Sequence, residues 1–85
     1  MDEIIAVFNN RNQAMQFANY LRKMGVRCKT VSTPRELSVS CGLSVMFLSH
    51  NLIQARYLVQ NNRFTGLTGI YQTINNYMHK KYKAI

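Results

Sequence analysis

STPRELSVSCGLSV, residues 32–45, is the stretch whose reading decides the fold. It joins VRCKTV, residues 26–31, to LSVMFL, residues 43–48. Read as a tight connection, it makes those two runs neighbouring strands. Thr33-Pro34-Arg35-Glu36 has the spacing of a capping box. In such a box the Thr33 side chain accepts from the amide at 36, and Glu36 reaches back to the amide at 33. Pro34 falls on the first helical position, where a missing N–H costs nothing. The expectation is one short helical turn from 34 to about 39. A capped turn between strands is a complete account of the segment without any chemistry.

Working outward, VRCKTV alternates. Val26, Cys28 and Thr30 point one way, and Arg27, Lys29 and Val31 the other, which is the period of a strand with one covered face. Cys28 falls with Val26 and reads as a core thiol; the functional alternative is a resolving thiol for Cys41. EIIAVF, residues 3–8, reads as a buried central strand. Asn9 and Asn10 offer side-chain oxygens to the free amides of a helix start. Ala14, Phe17, Ala18, Leu21 and Met24 follow at helical spacing, with Met15 on the flank. Gly25 supplies a left-handed terminator, and Arg22 and Lys23 suit the negative end of the helix dipole.

LSVMFL is the third strand. Ser49 or Asn51 can cap a helix over roughly 50–61, with Leu52, Ala55, Leu58 and Val59 as its apolar stripe and Ile53 beside it. GLTGIYQ, residues 66–72, is a last strand whose glycines predict a bulge or an edge position. NNYMHKKYKAI, residues 75–85, reads as a fraying tail or a short helix. The order βαββαβ predicts a ferredoxin-like α+β domain, with a four-stranded antiparallel sheet and both helices on one face. The domain is expected over 1–73, with a basic C-terminal tail over 74–85. Arg27 and Lys29 would lie on the open sheet face, beside Met46 or Tyr71 depending on register. A homodimer would cover that face.

Eleven Lys and Arg against three acids give a formal charge of +8, which favours polyanions or acidic proteins as partners. A hydrophobic content of 47% in 85 residues supports one cored domain and argues against disorder. The cations are dispersed except for Lys80, Lys81 and Lys83, a solvated tail or an anion-binding arm. The start, MDEIIAVF, carries acids where a secretory signal carries positive charge. No run approaches a membrane span of about 18 apolar residues. The expectation is a cytoplasmic protein whose two cysteines remain thiols.

Cys41 is the candidate for chemistry. A thiol acts as thiolate, which near neutrality requires a lowered pKa. Arg35 and the hydroxyls of Ser38 and Ser40 are close in sequence, and Gly42 has no Cβ to block approach to the backbone. TPRELSVSCG, residues 33–42, together with MGVRCKTV before it and FTGLTGIYQ after it, resembles a family of small bacterial selenium/sulfur carrier-like proteins. The resemblance covers roughly residues 3–72. It implies a compact α/β domain in which Cys41 holds sulfur or selenium as a persulfide or selenosulfide. On this resemblance Arg35 would hold the thiol's anionic form, and Ser38, Ser40 and the Gly42 amide would donate hydrogen bonds. The partner implied is a sulfur or selenium donor or acceptor protein, with no separate cofactor. The chain departs from the family in its strong positive charge and in residues 73–85.

Other chemistry fits less well. Cys28 and Cys41 lack C-x-x-C spacing, and His50 and His79 make no ligand pair with them, so no metal site is expected. His50 reads as a surface residue. Asp2, Glu3 and Glu36 do not read as an acid/base pair, and no phosphate-binding glycine loop occurs. The rival is a basic RNA- or partner-binding module. It would use Arg27 and Lys29 on the open sheet face with Lys80, Lys81, Lys83, Tyr77 and Tyr82 of the tail. LSVMFLS lacks the basic, glycine and aromatic pattern of the common RNA-binding sheet. A third reading is an adaptor for acidic protein surfaces. A carrier or binding protein is expected in preference to a stand-alone enzyme.

Overall fold

The computed structural model describes residues 2–37, 42–75 and 80–85. Strand β1, Glu3–Phe8, is followed by helix α1, Arg11–Lys23, and strand β2, Cys28–Ser32. A 3-10 turn, Arg35–Leu37, precedes strand β3, Leu43–Leu48. A second 3-10 turn, Ser49–Asn51, leads into helix α2, Leu52–Asn61. Strands β4, Leu67–Asn75, and β5, Lys80–Ala84, complete the order.

α1 is delimited as its sequence dictates. The Asn10 side chain accepts from the Gln13 amide at 3.0 Å. At the other end Gly25 adopts φ +85°, while the Val26 amide donates to Leu21 O and the Gly25 amide to Arg22 O. That pair of bonds satisfies carbonyls that the helix leaves free. Helix α2 starts without a side-chain cap on Asn51, contrary to the expected capping by Ser49 or Asn51. The 3-10 turn supplies that start instead.

The sheet is antiparallel with order β2-β3-β1-β4-β5. Among the described residues it therefore has five strands, not the expected four. The end of the chain, expected as a tail or short helix, is an edge strand in which Tyr82 pairs with Thr73 and Lys83 with Gln72. Its lysines hide the strand pattern, because an exposed edge strand has little need of apolar residues. Strand β4 also runs past the expected boundary at 73, to Asn75.

Ile4, Ala6 and Phe8 of β1 and Val45 and Phe47 of β3 pack with α1 and α2 in one core. Phe17 of α1 is fully buried and makes ring contacts with Phe8 and Phe64, each at a centroid distance of 5.3 Å. The opposite sheet face carries Ile5, Val7, Ser44, Met46 and Tyr71 by register. This face is not bare, since Ile5, Val7 and Ser44 are buried. A Cβ on Gly69 would lie 2.9 Å from the Tyr71 ring, so Gly69 makes room for that ring to lie along the strand. Between Val7 and Phe8 the pairing shifts, leaving Thr68 as an extra residue whose hydroxyl donates to Val7 O. The expected bulge is there.

Phe17→Ala should lower stability by about 3–5 kcal/mol, the usual cost of emptying a buried phenylalanine site. Chemical denaturation would measure the loss, and a cost below about 1 kcal/mol would contradict this account of the core.

Candidate functional site

The β2–β3 connector is closed at its base. The Thr33 amide donates to Gly42 O at 3.3 Å, and the Thr33 and Ser44 hydroxyls share a hydrogen bond of 2.7 Å. Ser44 is fully buried in β3, so its hydroxyl needs that partner. The Thr33 amide, which the expected capping box gave to Glu36, donates to Gly42 O instead, so that half of the box is corrected. The expected helical turn does form over Arg35–Leu37, and the Leu37 amide donates to Pro34 O at 2.9 Å. A Cβ on Gly42 would lie 2.6 Å from Thr33 Oγ1 and 3.2 Å from Phe8 O. The glycine is therefore needed for close packing at the base, a reason distinct from leaving space for a bound group.

Arg35 is exposed beside this base. Cys41, Ser38 and Ser40 lie outside the described residues. Of the expected site, the structure places Arg35 in the 3-10 turn and Gly42 at the closed base, one residue from Cys41.

Cys28 takes the place its alternation predicted. It pairs with Phe47 and packs against the core, and its Sγ donates to Ala18 O at 3.4 Å. Burial pushes the Cys28 thiol above the ordinary value, and nearby Arg22 only partly opposes this. Arg22 Nη2 is engaged with Cys28 O and Nη1 with Asn19. Cys28 lies at one end of β2 and Ser32 at the other, roughly 13 Å apart at about 3.3 Å per residue. Its arrangement suits a protonated structural thiol.

The cations of the rival reading do not gather in one place. Lys29 pairs with Met46 on the non-helical face, and Arg27 precedes the strand. Both line a cavity of about 260 Å³ with Glu3, Met46 and Leu48. Along β5, strand alternation puts Lys80 on the side of Tyr82, and Lys81 and Lys83 on the other side. Tyr77 and His79 lie outside the described residues. His50 lies in the second 3-10 turn and is exposed. Among the described residues no three of His, Cys, Asp and Glu come together as a metal site, and no helix is long and apolar enough to cross a membrane.

Sequence reasoning missed two features. Ser44 was a visible signal, a lone hydroxyl between apolar neighbours, but its partner eleven residues away was not visible. Tyr82 was read as part of the tail. Burial, then Glu36, then Glu3 push its hydroxyl above the ordinary value, which brings the connector carboxylate and the β1 carboxylate to bear on β5.

Two outcomes are expected. Gly42→Ala should destabilise by about 1–3 kcal/mol through overpacking, and by less in a Thr33→Ala background. A double-mutant cycle by chemical denaturation measures the coupling, and additive costs would sever the link between the two residues. For Cys28, the folded value is raised, so its contribution is complete below the unfolded thiol value. That contribution is lost as pH rises through the folded value. Denaturation midpoints taken between about pH 8 and 11 should fall less steeply in Cys28→Ala than in the native chain.

A family model described as "Putative Se/S carrier protein-like" matches residues 3–72. No curated protein and no solved structure matches the chain.

Proposed function

The chain belongs to the Se/S carrier protein-like family, and on that premise we propose that it carries a chalcogen atom on Cys41. The observation that supports this reading best is the closed base of the connector. Thr33 fixes Gly42 by a backbone bond and by close packing, so the chain enters Cys41 from an anchored neighbour. Anchoring limits the conformations a reactive group must lose on meeting its partner. The first four strands, β2-β3-β1-β4, keep the alternating arrangement of a ferredoxin-like domain, with β5 added outside β4.

In the proposed step the Cys41 thiolate attacks the terminal sulfur of a donor persulfide. The donor's S–S bond breaks and its inner sulfur leaves as thiolate. A new S–S bond forms on Cys41, and the proton stays on the transferred sulfur, so no oxidant or reductant is consumed. Selenium follows the same scheme. Arg35 holds the thiolate's charge, and Ser38, Ser40 and the Gly42 amide donate to it. Cys28 stays protonated and takes no part, consistent with its burial and its bond to Ala18. The step leaves the transferred atom on Cys41, so the reading calls for a donor or acceptor protein as the carrier's partner.

The RNA reading draws less support. The central strands present Ile5, Val7, Ser44 and Met46 to the non-helical face, with no aromatic platform among them. The face does carry Tyr71, Tyr82 and Lys80 toward β5.

The folded protein would be titrated with a thiol-selective alkylating agent across a pH series, as native chain, Cys41→Ser and Cys28→Ser. Cys41 should react with a midpoint clearly below about 8.5, with Cys28 lagging. Incubation with a small-molecule persulfide should add one sulfur atom to the native chain and to Cys28→Ser, but not to Cys41→Ser. Equal sluggishness of both thiols, or loading on Cys28, would sink the proposal.

A further inference from the structure

The helix layer has a surface that neither the core nor Cys41 accounts for. On α2, Ala55 and Leu58 are buried toward the sheet, while Ile53 and Tyr57 are 80% and 60% exposed. Those two lie one turn apart and therefore share the outward side. Tyr20 of α1 and Met24, the C-cap that follows it, are exposed as well. The Tyr20 ring lies 6.4 Å from Phe64, which follows α2, so Tyr20 sits on the α2 side of α1. Ile74 and Ile85, at the β4/β5 edge, are each 39% exposed, so the most exposed large apolar side chains, Ile53 and Tyr57, are those of α2, and neighbouring exposed apolar groups mark an interaction surface more often than scattered ones do.

The charged side chains of the two helices themselves have one sign. The three carboxylates of the chain are Asp2, Glu3 and Glu36. Glu3 pairs with Leu48 at the end of β1, and Glu36 belongs to the β2–β3 connector, where it acts on Tyr82. Neither helix contains an acid, whereas α1 carries Arg11, Arg22 and Lys23 and α2 carries Arg56. Helices gain from acids in the first turn and from Glu–Lys pairs one turn apart. Both helices forgo those gains, and every charge they carry is positive. Lys23 Nζ lies 6.0 Å from the Tyr20 ring centre, and Arg56 lies between Ile53 and Tyr57 in sequence.

We propose that the outer side of the helix layer docks an acidic partner protein. The partner's apolar side chains seat against Ile53, Tyr57 and Tyr20, and its carboxylates meet Arg56 and Lys23. Tyrosine, methionine and arginine are the residues enriched at such interfaces. Nucleic acid fits less well, because the most exposed of the large apolar side chains, Ile53, offers nothing to a phosphate. A membrane surface fits less well too, because the outward side of α2 pairs two apolar side chains with Arg56 and Gln60 and lacks a continuous apolar stripe. The surface lies on the helices and not on the β2–β3 connector, so this docking does not depend on the chemistry proposed for the thiol.

Fluorescence anisotropy of the full chain would test it with labelled random Glu–Tyr copolymer, polyglutamate, a single-stranded oligonucleotide and phosphatidylserine vesicles at one salt concentration. The copolymer should bind tightest. Ile53→Ser with Tyr57→Ser, at positions too exposed to be needed for folding, should weaken the copolymer at least about fivefold and leave polyglutamate unchanged. Lys81→Glu with Lys83→Glu on β5 should keep the preference for copolymer over polyglutamate. Cys41→Ser should bind like the native chain, which separates this outcome from that of the carrier reading. Equal affinity for copolymer and polyglutamate, insensitivity to the Ile53/Tyr57 pair, or tightest binding to oligonucleotide or vesicles would each overturn the proposal.

Discussion

Phe8, Phe17 and Phe64 meet ring to ring, and the rest of the molecule depends on that contact. It ties the central strand, the first helix and the α2–β4 loop into one unit. Ala14 and Ala18 are fully buried, so α1 approaches the sheet closely with no bulk on that side. Gln13 then fastens the loop, accepting from the Gly66 amide and donating to Thr65. In a chain of 85 residues the margin between folded and unfolded is small, and few contacts share it.

With β1 held at the centre, β3 lies beside it and β2 outside β3. The connector between those two strands therefore returns near the end of β1, where Gly42 approaches Phe8 O. Thr33 makes that return specific, since a larger residue at 42 would meet its hydroxyl. The packing of the core and the placing of the proposed carrier loop are thus parts of one arrangement, and its β1 end is set by the same Phe8 that anchors the aromatic cluster. Both proposed roles fall on exposed segments, the connector and the outer helix surface, for which the sheet is the frame.

Local signals were legible in the sequence and non-local ones were not. Asn10, Gly25 and the stripe Ala14, Phe17, Ala18, Leu21 specify α1 through interactions within about four residues, and the helix forms as read. Alternation in VRCKTV placed Cys28 inward, because the period of a strand is a local property. Strand β5 escaped, since Lys80, Lys81 and Lys83 make its pattern polar and its evidence is the pairing with β4. Phe64 escaped as well, an aromatic between polar neighbours whose partners are far away in sequence. The Thr33 amide was given a plausible local partner, and a more distant carbonyl, that of Gly42, won it. Of the expected site, Arg35 and Gly42 are placed, while Cys41, Ser38 and Ser40 fall outside the described residues.

The lysines of β5 bear on a hazard common to every open sheet. An outermost strand offers unsatisfied amides and carbonyls to any extended chain that drifts alongside. Of the two outermost strands here, CKTVS and KKYKA, the second is the one lined with lysines. A second copy aligning its own β5 there would bring like charges together along the seam, and that repulsion discourages self-templated growth into fibres. The same lysines that obscured the strand in the sequence thus protect the molecule from its own edge.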